Sequence, residues 1–461
     1  MAAIAKPIKL ERVHFQTSRL LDFLSRKELI AQTGHQVSEW PLVCLNELID
    51  NSLDACEESG IAPKINIAVG ETSLTVSDNG PGLPAKVVES ILDFSIRVSS
   101  REAYVSPSRG AQGNALKTLV AMPFVLAGDG AVIIEAMGVR HEIRISVDRV
   151  RQVPNIDHRQ TKSEVKSGTK ITVEWPEKAC LNNDSENDDS YNLDDGEDKK
   201  ASLILNAVKS RFLQMAEDYC WFNPHLSLLL TWGDDAIDIK SSMPDWSKWL
   251  PSNPTDPHWY AAGELERLIA ANICHDADKT VREFVKEFRG LSGTAKQKQV
   301  LEVVGLSRAK LAELTTSNDL DKAKIAKLLQ AMKQATTPVK PQALGVIGKE
   351  HFAARCELIG GDLESFQYKK IANADGLPWV LETAFCYCPD EKRERRIITG
   401  VNWSPGIVNP FRQLGHFGKS LDSILAAQRV ERDEPVVFLL HIACPKVSYA
   451  DRGKSSIIVE K

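Results

Sequence analysis

Three polar side chains, Glu47, Asn51 and Asp54, recur at i, i+4 and i+7 in the segment LNELIDNSLDA, residues 45–55. In a helix that spacing sets all three on one face, with Leu45, Leu48, Ile49 and Cys56 on an apolar one. A carboxylate so placed can take a proton from water, and an amide oxygen suits magnesium, a hard cation. An ordinary solvated helix face has the same spacing. A second group is VSDNGPGLP, residues 76–84, after a strand expected at Ser73 to Ser77. It is either a plain turn or a tight turn, built on Gly80 and Gly82, that offers the Asp78 carboxylate to a donor such as an adenine amino group. The third is SRGAQGNALK, residues 108–117, which runs into an apolar stretch from Thr118 to Leu126. Gly110 and Gly113 let backbone amides approach a phosphate, the following helix N-terminus adds partial positive charge, and Lys117 adds a full one. The GxxxxGK[ST] phosphate loop is absent. The fourth is SGTKITV, residues 167–173, a turn into a strand.

The chain that must position these groups has 461 residues, too many for one core, and two to four domains are expected. It is 43% hydrophobic and 26% charged, ordinary values for a globular protein. No run of about 18 apolar residues occurs, so no membrane span is expected. The N-terminus lacks a signal-peptide core, and a cytoplasmic location is expected. Nine scattered cysteines, an odd number without paired CxxC units, argue against a disulfide framework and a structural zinc site. Cys386 and Cys388 share one face of an expected strand and read as buried small apolar residues rather than metal ligands. The net charge of −5 is uneven: Asp184 to Asp198 holds eight acids and no Lys or Arg, and the remainder carries +3. The mean charge therefore neither supports nor excludes nucleic acid, which needs only a local basic face.

The pattern reads as α+β in four parts. Residues 1–35 look like a helical arm, and residues 36–247 alternate helical and strand signals around an exposed acidic loop, 182–200. The turn-rich PSNPTDP, residues 251–257, opens a helical section, 248–338, in which Leu265, Leu268 and Ile269 share one helix face and Val281, Phe284, Val285 and Phe288 another. After TTPVKP, residues 336–341, the last part, 339–461, has strands expected at Trp379–Cys388, Ile397–Trp403 and Val436–Cys444.

Taken in order and spacing, Glu47/Asn51, Asp78/Gly80/Gly82, Gly110/Gly113 and Gly168/Thr169 resemble the four boxes of the gyrase, heat-shock-chaperone, histidine-kinase and MutL ATPase superfamily. The resemblance covers residues 36 to about 175. It implies a helix-on-sheet sandwich that binds ATP and magnesium. Glu47 would be the general base, Asn51 the magnesium ligand, and Asp78 the adenine acceptor, joined by Thr169. Residues Gly110 to Lys117 would form the phosphate lid. Asp54, Arg109, Gln112 and Asn114 complete the candidate nucleotide contacts. Glu47 favours hydrolysis over kinase chemistry, because the histidine kinases lack it.

Within the superfamily, ELIDNSLDAC and DNGPGLP look most like the B subunit of type IIB topoisomerases. PTDPHWY, residues 254–260, resembles that family's linker into its helix-two-turn-helix domain, and residues 280–305 look like that domain. ALGVIGKEHF, 343–352, and LPWVLETAFCYC, 377–388, are similar to the start of its α/β transducer domain. By the same resemblance Lys454, in DRGKS, would reach the γ-phosphate of the neighbouring domain. The lid reads GAQGNALK where the family is richer in glycine. The sequence ends seven residues after Lys454, where the family continues into a long helix that carries the cleaving subunit.

The resemblance implies a homodimer formed on ATP binding, a clamp for DNA, and a separate DNA-cleaving subunit. A second reading keeps the ATPase as a standalone switch in a bacterial DNA-processing or defence complex with a different nuclease. A third is a non-hydrolysing nucleotide-binding module, against which Glu47 argues. Lys279, Arg282, Lys286, Arg289, Lys296 and Lys298 are either DNA-phosphate contacts or a solvated helix face.

Overall fold

The computed structural model describes residues 21, 24–94, 104–109, 115–128, 130–148, 150–151, 153–175, 197–317, 319–389, 394–412, 419–450 and 456–458. Ser25 caps helix α1 (Arg26–Thr33), its hydroxyl accepting from the Glu28 amide, and Gly34 ends it in the left-handed region. Helix α2 (Trp40–Glu58) carries Pro41 in its first turn, where a missing N–H is no loss. Strands β1 (Lys64–Val69) and β2 (Ser73–Ser77) alternate outward and buried residues, the period of a sheet with one face on a core. Helix α3 (Ala85–Ile91) follows the Asp78 turn, and α4 (Ala115–Ala127) is the apolar run after the lid segment. Strands β3 (Ala131–Ala136), β4 (Val139–Asp148), β5 (Val153–Lys162) and β6 (Thr169–Glu174) come next, then the 26-residue helix α5 (Glu197–Phe222) and strands β7 (Ser227–Trp232) and β8 (Asp235–Ile239).

These eight strands form one sheet in the order β5-β4-β3-β6-β2-β1-β7-β8, antiparallel except for the β1–β7 pair. Its inward residues, among them Ile67, Val76, Ile134 and Val173, pack against Leu45 and Ile49 of α2, Leu119 and Met122 of α4, and Phe212 and Tyr219 of α5. This is the expected helix-on-sheet sandwich. One boundary moves: Glu197 to Lys200, expected to be acidic loop, form the first turn of α5. Acids at a helix N-terminus meet the positive end of its dipole, which favours helix over loop there.

The section after β8 is helical, with α6 (Ala262–His275), α7 (Val281–Lys286), α8 (Thr294–Val304) and α9 (Lys322–Gln334). Leu265, Leu268 and Ile269 are buried on one face, and Val281, Phe284 and Val285 on another, as the spacing predicts. Thr280 and Glu283 make a reciprocal capping box that starts α7. Helix α10 (Lys349–Leu358) then leads into β9 (Asp362–Asn373), β10 (Trp379–Tyr387), β11 (Arg396–Val401), β12 (Ser404–Pro405), α11 (Leu421–Ala427) and β13 (Val436–Ala443). The second sheet has the order β12-β11-β13-β10-β9.

Trp403 does not belong to a strand. Asn402 and Trp403 turn the chain with φ of 50° and 66°, and β11 doubles back on β12. A two-residue hairpin needs left-handed backbone, which suits Asn and strains a tryptophan. Full burial of the Trp403 ring compensates; it packs beside Trp246 and His441.

The helical section and one face of the second sheet share a single core: Leu268, Phe284 and Leu328 join Val380, Cys386, Cys388 and Leu439. Cys386 and Cys388 are buried, as alternation implies. Trp221 and Phe222, the last residues of α5, lie in this second core, while the preceding turns of the same helix lie in the first. Gly400 of β11 faces them closely, since a Cβ there would stand 2.5 Å from the Phe222 ring. Gly400→Ala should therefore cost about 2 kcal/mol through overpacking. Urea titration is expected to show the midpoint falling, and an unchanged midpoint would contradict this packing.

Candidate functional site

The Asp78 turn is built by mutual backbone capture. Asp78 Oδ1 accepts from the Gly80 amide at 2.8 Å and the Thr169 amide at 3.1 Å, while the Asp78 amide donates to the Thr169 carbonyl at 3.0 Å. The Gly168 amide donates to the Gly80 carbonyl at 2.8 Å. The two turns approach so closely that a Cβ on Gly168, at φ 74°, would lie 2.0 Å from the Asp78 carbonyl oxygen. Gly82 packs against Met137 of the β3–β4 turn. Asn79 staples the turn from outside: its amide donates to the Ala62 carbonyl, and its oxygen accepts from the Lys64 amide. Burial pushes the Asp78 carboxyl up, against the lowering effect of the Gly80 and Thr169 amides and the Ser52 hydroxyl.

Helix α2 faces this turn with Ala55 and Cys56, both in near contact with Gly80. Glu47 and Asn51 stand on the same helix and are half-buried. The Asn51 side-chain nitrogen is buried without a hydrogen-bond partner among the described residues. A buried amide left so is costly, about 1–3 kcal/mol, unless a bound group meets it. An amide oxygen and a half-buried carboxylate on one face fit a magnesium ion that takes most of its ligands from phosphate and water. Among the described residues no cluster of three His, Cys, Asp or Glu could hold a metal by itself.

Asp54 and Arg109, expected among the nucleotide contacts, meet each other in the structure. The Arg109 side chain is fully buried. It donates to Asp54 Oδ1 at 2.8 Å, to both oxygens of Glu57 at 2.7 Å, and to Asn223 Oδ1 at 2.5 Å. Asp50 lies 3.8 Å away, and Lys248 and His225 reach Glu57 at 3.0 Å each. Asp50, Asp54 and Glu57, at i, i+4 and i+7, line one side of α2 and meet Arg109 there. Asp50 and Glu57 repeat the i, i+4, i+7 spacing through Asp54, but spacing alone does not distinguish such a row from a solvated face. Glu57 is held well below the usual carboxylate range: burial acts to raise it, but Arg109 and then Lys248 outweigh that. Burial pushes the Lys248 and His225 values down.

Lys117 was expected in the phosphate lid. Its ammonium is buried against the Asp93 carbonyl and ties α4 to the chain after α3. Burial lowers its pKa. Gly110, Gln112, Gly113, Asn114 and Lys454 lie outside the described residues, as does most of the arm. The stem that leads to the lid is docked on the helical section: Tyr104 donates to Glu287 at 2.8 Å, and the Val105 amide donates to the Tyr260 hydroxyl at 2.9 Å. Asn402 reaches the Ser108 carbonyl at 3.3 Å.

Residues 37–179 match the family described as histidine kinase-, DNA gyrase B-, and HSP90-like ATPase. The chain is 24% identical over 437 residues to the B subunit of type 2 DNA topoisomerase 6 from Archaeoglobus fulgidus, and 25% identical over 433 residues to that from Metallosphaera sedula. Each alignment covers 90% of this chain, and 66% and 74% of the respective relative. The solved B-subunit of DNA gyrase from Myxococcus xanthus aligns at 10% identity with a TM-score of 0.37, over 96% of this chain and 90% of that one, a likeness too loose to decide anything.

Removing the Arg109 cation should leave buried carboxylates unpaired. Arg109→Met is expected to cost about 3–5 kcal/mol, read as a lower urea midpoint, whereas a surface arginine would cost under about 1 kcal/mol. Glu57 has a depressed pKa in the folded state. Its contribution is therefore complete above the unfolded value of about 4.3 and is lost as pH falls through the folded one. His225, also depressed, acts in the same direction from about 6.5 downward. Glu57→Gln should flatten the loss of thermal stability as pH falls below about 4.3. A mutant as acid-sensitive as the parent would contradict the assignment.

Proposed function

We propose that this chain, which resembles the topoisomerase VI B subunit within the gyrase, chaperone, histidine-kinase and MutL ATPase superfamily, binds ATP and hydrolyses it between α2 and the Asp78 turn. The observation that carries this reading is the pairing of an unpartnered buried Asn51 amide with an Asp78 carboxylate held by two backbone amides. One end wants a polar ligand, and the other presents an oriented acceptor. Asp78, with Thr169 beside it, receives the adenine amino group. Asn51 holds magnesium through its side-chain oxygen. Magnesium, when bound, neutralises phosphate charge and polarises the terminal phosphoryl group. Glu47 takes the proton of the attacking water, which is the general-base role. Gly110, Gln112, Gly113 and Asn114 contribute lid contacts to the phosphates. Lys454 answers the γ-phosphate as a point charge. Arg109 and Asp54 serve this chemistry indirectly, by anchoring the root of the lid to the back of α2.

Two copies would close on ATP as a clamp for DNA, with the arm, Glu11 to Thr33, crossing between them, and a separate subunit would cut. The relatives named as B subunits of topoisomerase 6 support this reading. Closure needs only that ATP bind the closed state more tightly than the open one.

Glu47→Gln is the direct test. Turnover should fall by about 10²–10⁴-fold, while ATP affinity stays within about threefold. In size-exclusion chromatography a non-hydrolysable analogue should convert monomer to dimer in both proteins. Wild-type turnover in the mutant would sink the hydrolytic role, and a monomer throughout would sink the clamp.

A further inference from the structure

The hydrolytic face of α2 has a partner face that the chemistry above does not use. Asn46 and Asp50 each precede a proposed active residue, Glu47 and Asn51, by one position. Successive helix residues diverge by about 100°, so Asn46 and Asp50 point away from the nucleotide. They meet Tyr219 of α5 and the β11–β12 turn. Asn46 Nδ2 donates to the Tyr219 hydroxyl at 2.7 Å and approaches Ser404 Oγ at 3.4 Å and the Pro405 carbonyl at 3.3 Å. The Tyr219 hydroxyl stands 2.9 Å from both the Asn46 carbonyl and Asp50 Oδ1. Ser404 donates to Asp50 Oδ2 at 2.9 Å. Both Asp50 oxygens are thus gripped, one from α5 and one from the second sheet.

The turn that presents Ser404 is itself tightly held. Asn402 and Trp403 are both left-handed, a conformation that costs about 1–3 kcal/mol per strained residue and persists only where the surroundings enforce it. The Trp403 carbonyl accepts from Asn223 at 2.8 Å, and its amide donates to His441 Nε2 at 3.1 Å. Asn402 accepts from the Cys444 amide at 2.9 Å. The turn therefore joins the end of β13 to the back of α2.

We propose that Ser404 is a positioning residue for hydrolysis: through Asp50 and Asn46 the Asn402–Ser404 turn sets the placement of Glu47 and Asn51, so that the second sheet governs turnover from behind the nucleotide. The proposal rests on the hydrolytic reading above. Its chemistry is mechanical. A helix moves as a rigid rod, and a shift of the turn passes undiminished to the residues next to its contacts. Misplacement of reacting groups by about 1 Å can cost about 100-fold in rate.

The test compares Ser404→Ala, which deletes the hydroxyl, with Ser404→Thr, which keeps it. Steady-state ATP hydrolysis should show Ser404→Ala lowering kcat by about tenfold with KM within about twofold, and Ser404→Thr restoring kcat. Hydrogen exchange across residues 398–406, with and without a non-hydrolysable ATP analogue, gives the second readout. Nucleotide should slow exchange there in wild type and in the threonine variant and have no effect in the alanine variant. A Ser404→Ala enzyme with wild-type kcat and wild-type nucleotide response overturns the proposal and leaves the ATPase reading standing. So does a loss that threonine does not restore. Absence of both turnover and nucleotide response in the wild type overturns the ATPase reading and this proposal with it.

Discussion

One guanidinium, that of Arg109, is buried against three carboxylates of a single helix, and the packing around α2 depends on it. Two cations, Arg109 and Lys248, face Asp50, Asp54 and Glu57 in a space from which water is excluded. Such a cluster adds little net stability over an apolar core, because desolvation offsets attraction. Its value lies in directionality. The fork of Arg109 accepts only one arrangement of Asp54, Glu57 and Asn223 around it.

The same polar logic continues into the second sheet. Glu382 is fully buried on β10 and accepts from the Ile347 and Gly348 amides and the Tyr368 hydroxyl. His441 stands beside it on β13 and receives the Trp403 amide on its other nitrogen. Burial depresses the His441 pKa, and a neutral ring is what an accepting Nε2 requires. From His441 to Asp50 every step is a hydrogen bond or a single turn of chain. Low dielectric strengthens each such bond and makes a missing one costly.

The layers and strands were legible in the sequence because alternation and helical spacing report burial directly. Ser73–Ser77 and the three C-terminal strands fall where those periods put them, to within a residue or two. The Asp78 and Thr169 turns were legible as a pair only through the resemblance, since spacing alone says nothing of two loops meeting 91 positions apart. The pairing of Arg109 with Asp54 was not legible for a physical reason. A charged residue beside a glycine-rich segment and another on a polar helix row look the same whether they face a ligand or each other. Asp50, Glu57 and Ser404 were missed because their significance lies in long-range contacts. Trp403 was read as strand because tryptophan seldom accepts a left-handed backbone, and only the packed ring explains why it does here.

Helix α5 gives this protein an unusual grain. Its last two residues, Trp221 and Phe222, are core of the C-terminal half, and the turns just before them are core of the N-terminal half. The visible seam in the sequence, the proline-rich stretch at 251–257, is therefore not where the molecule comes apart. A cut at that seam would strip the second core of Trp221, Phe222 and Trp249. A different C-terminal half could be grafted on only if it brought its own socket for the end of α5.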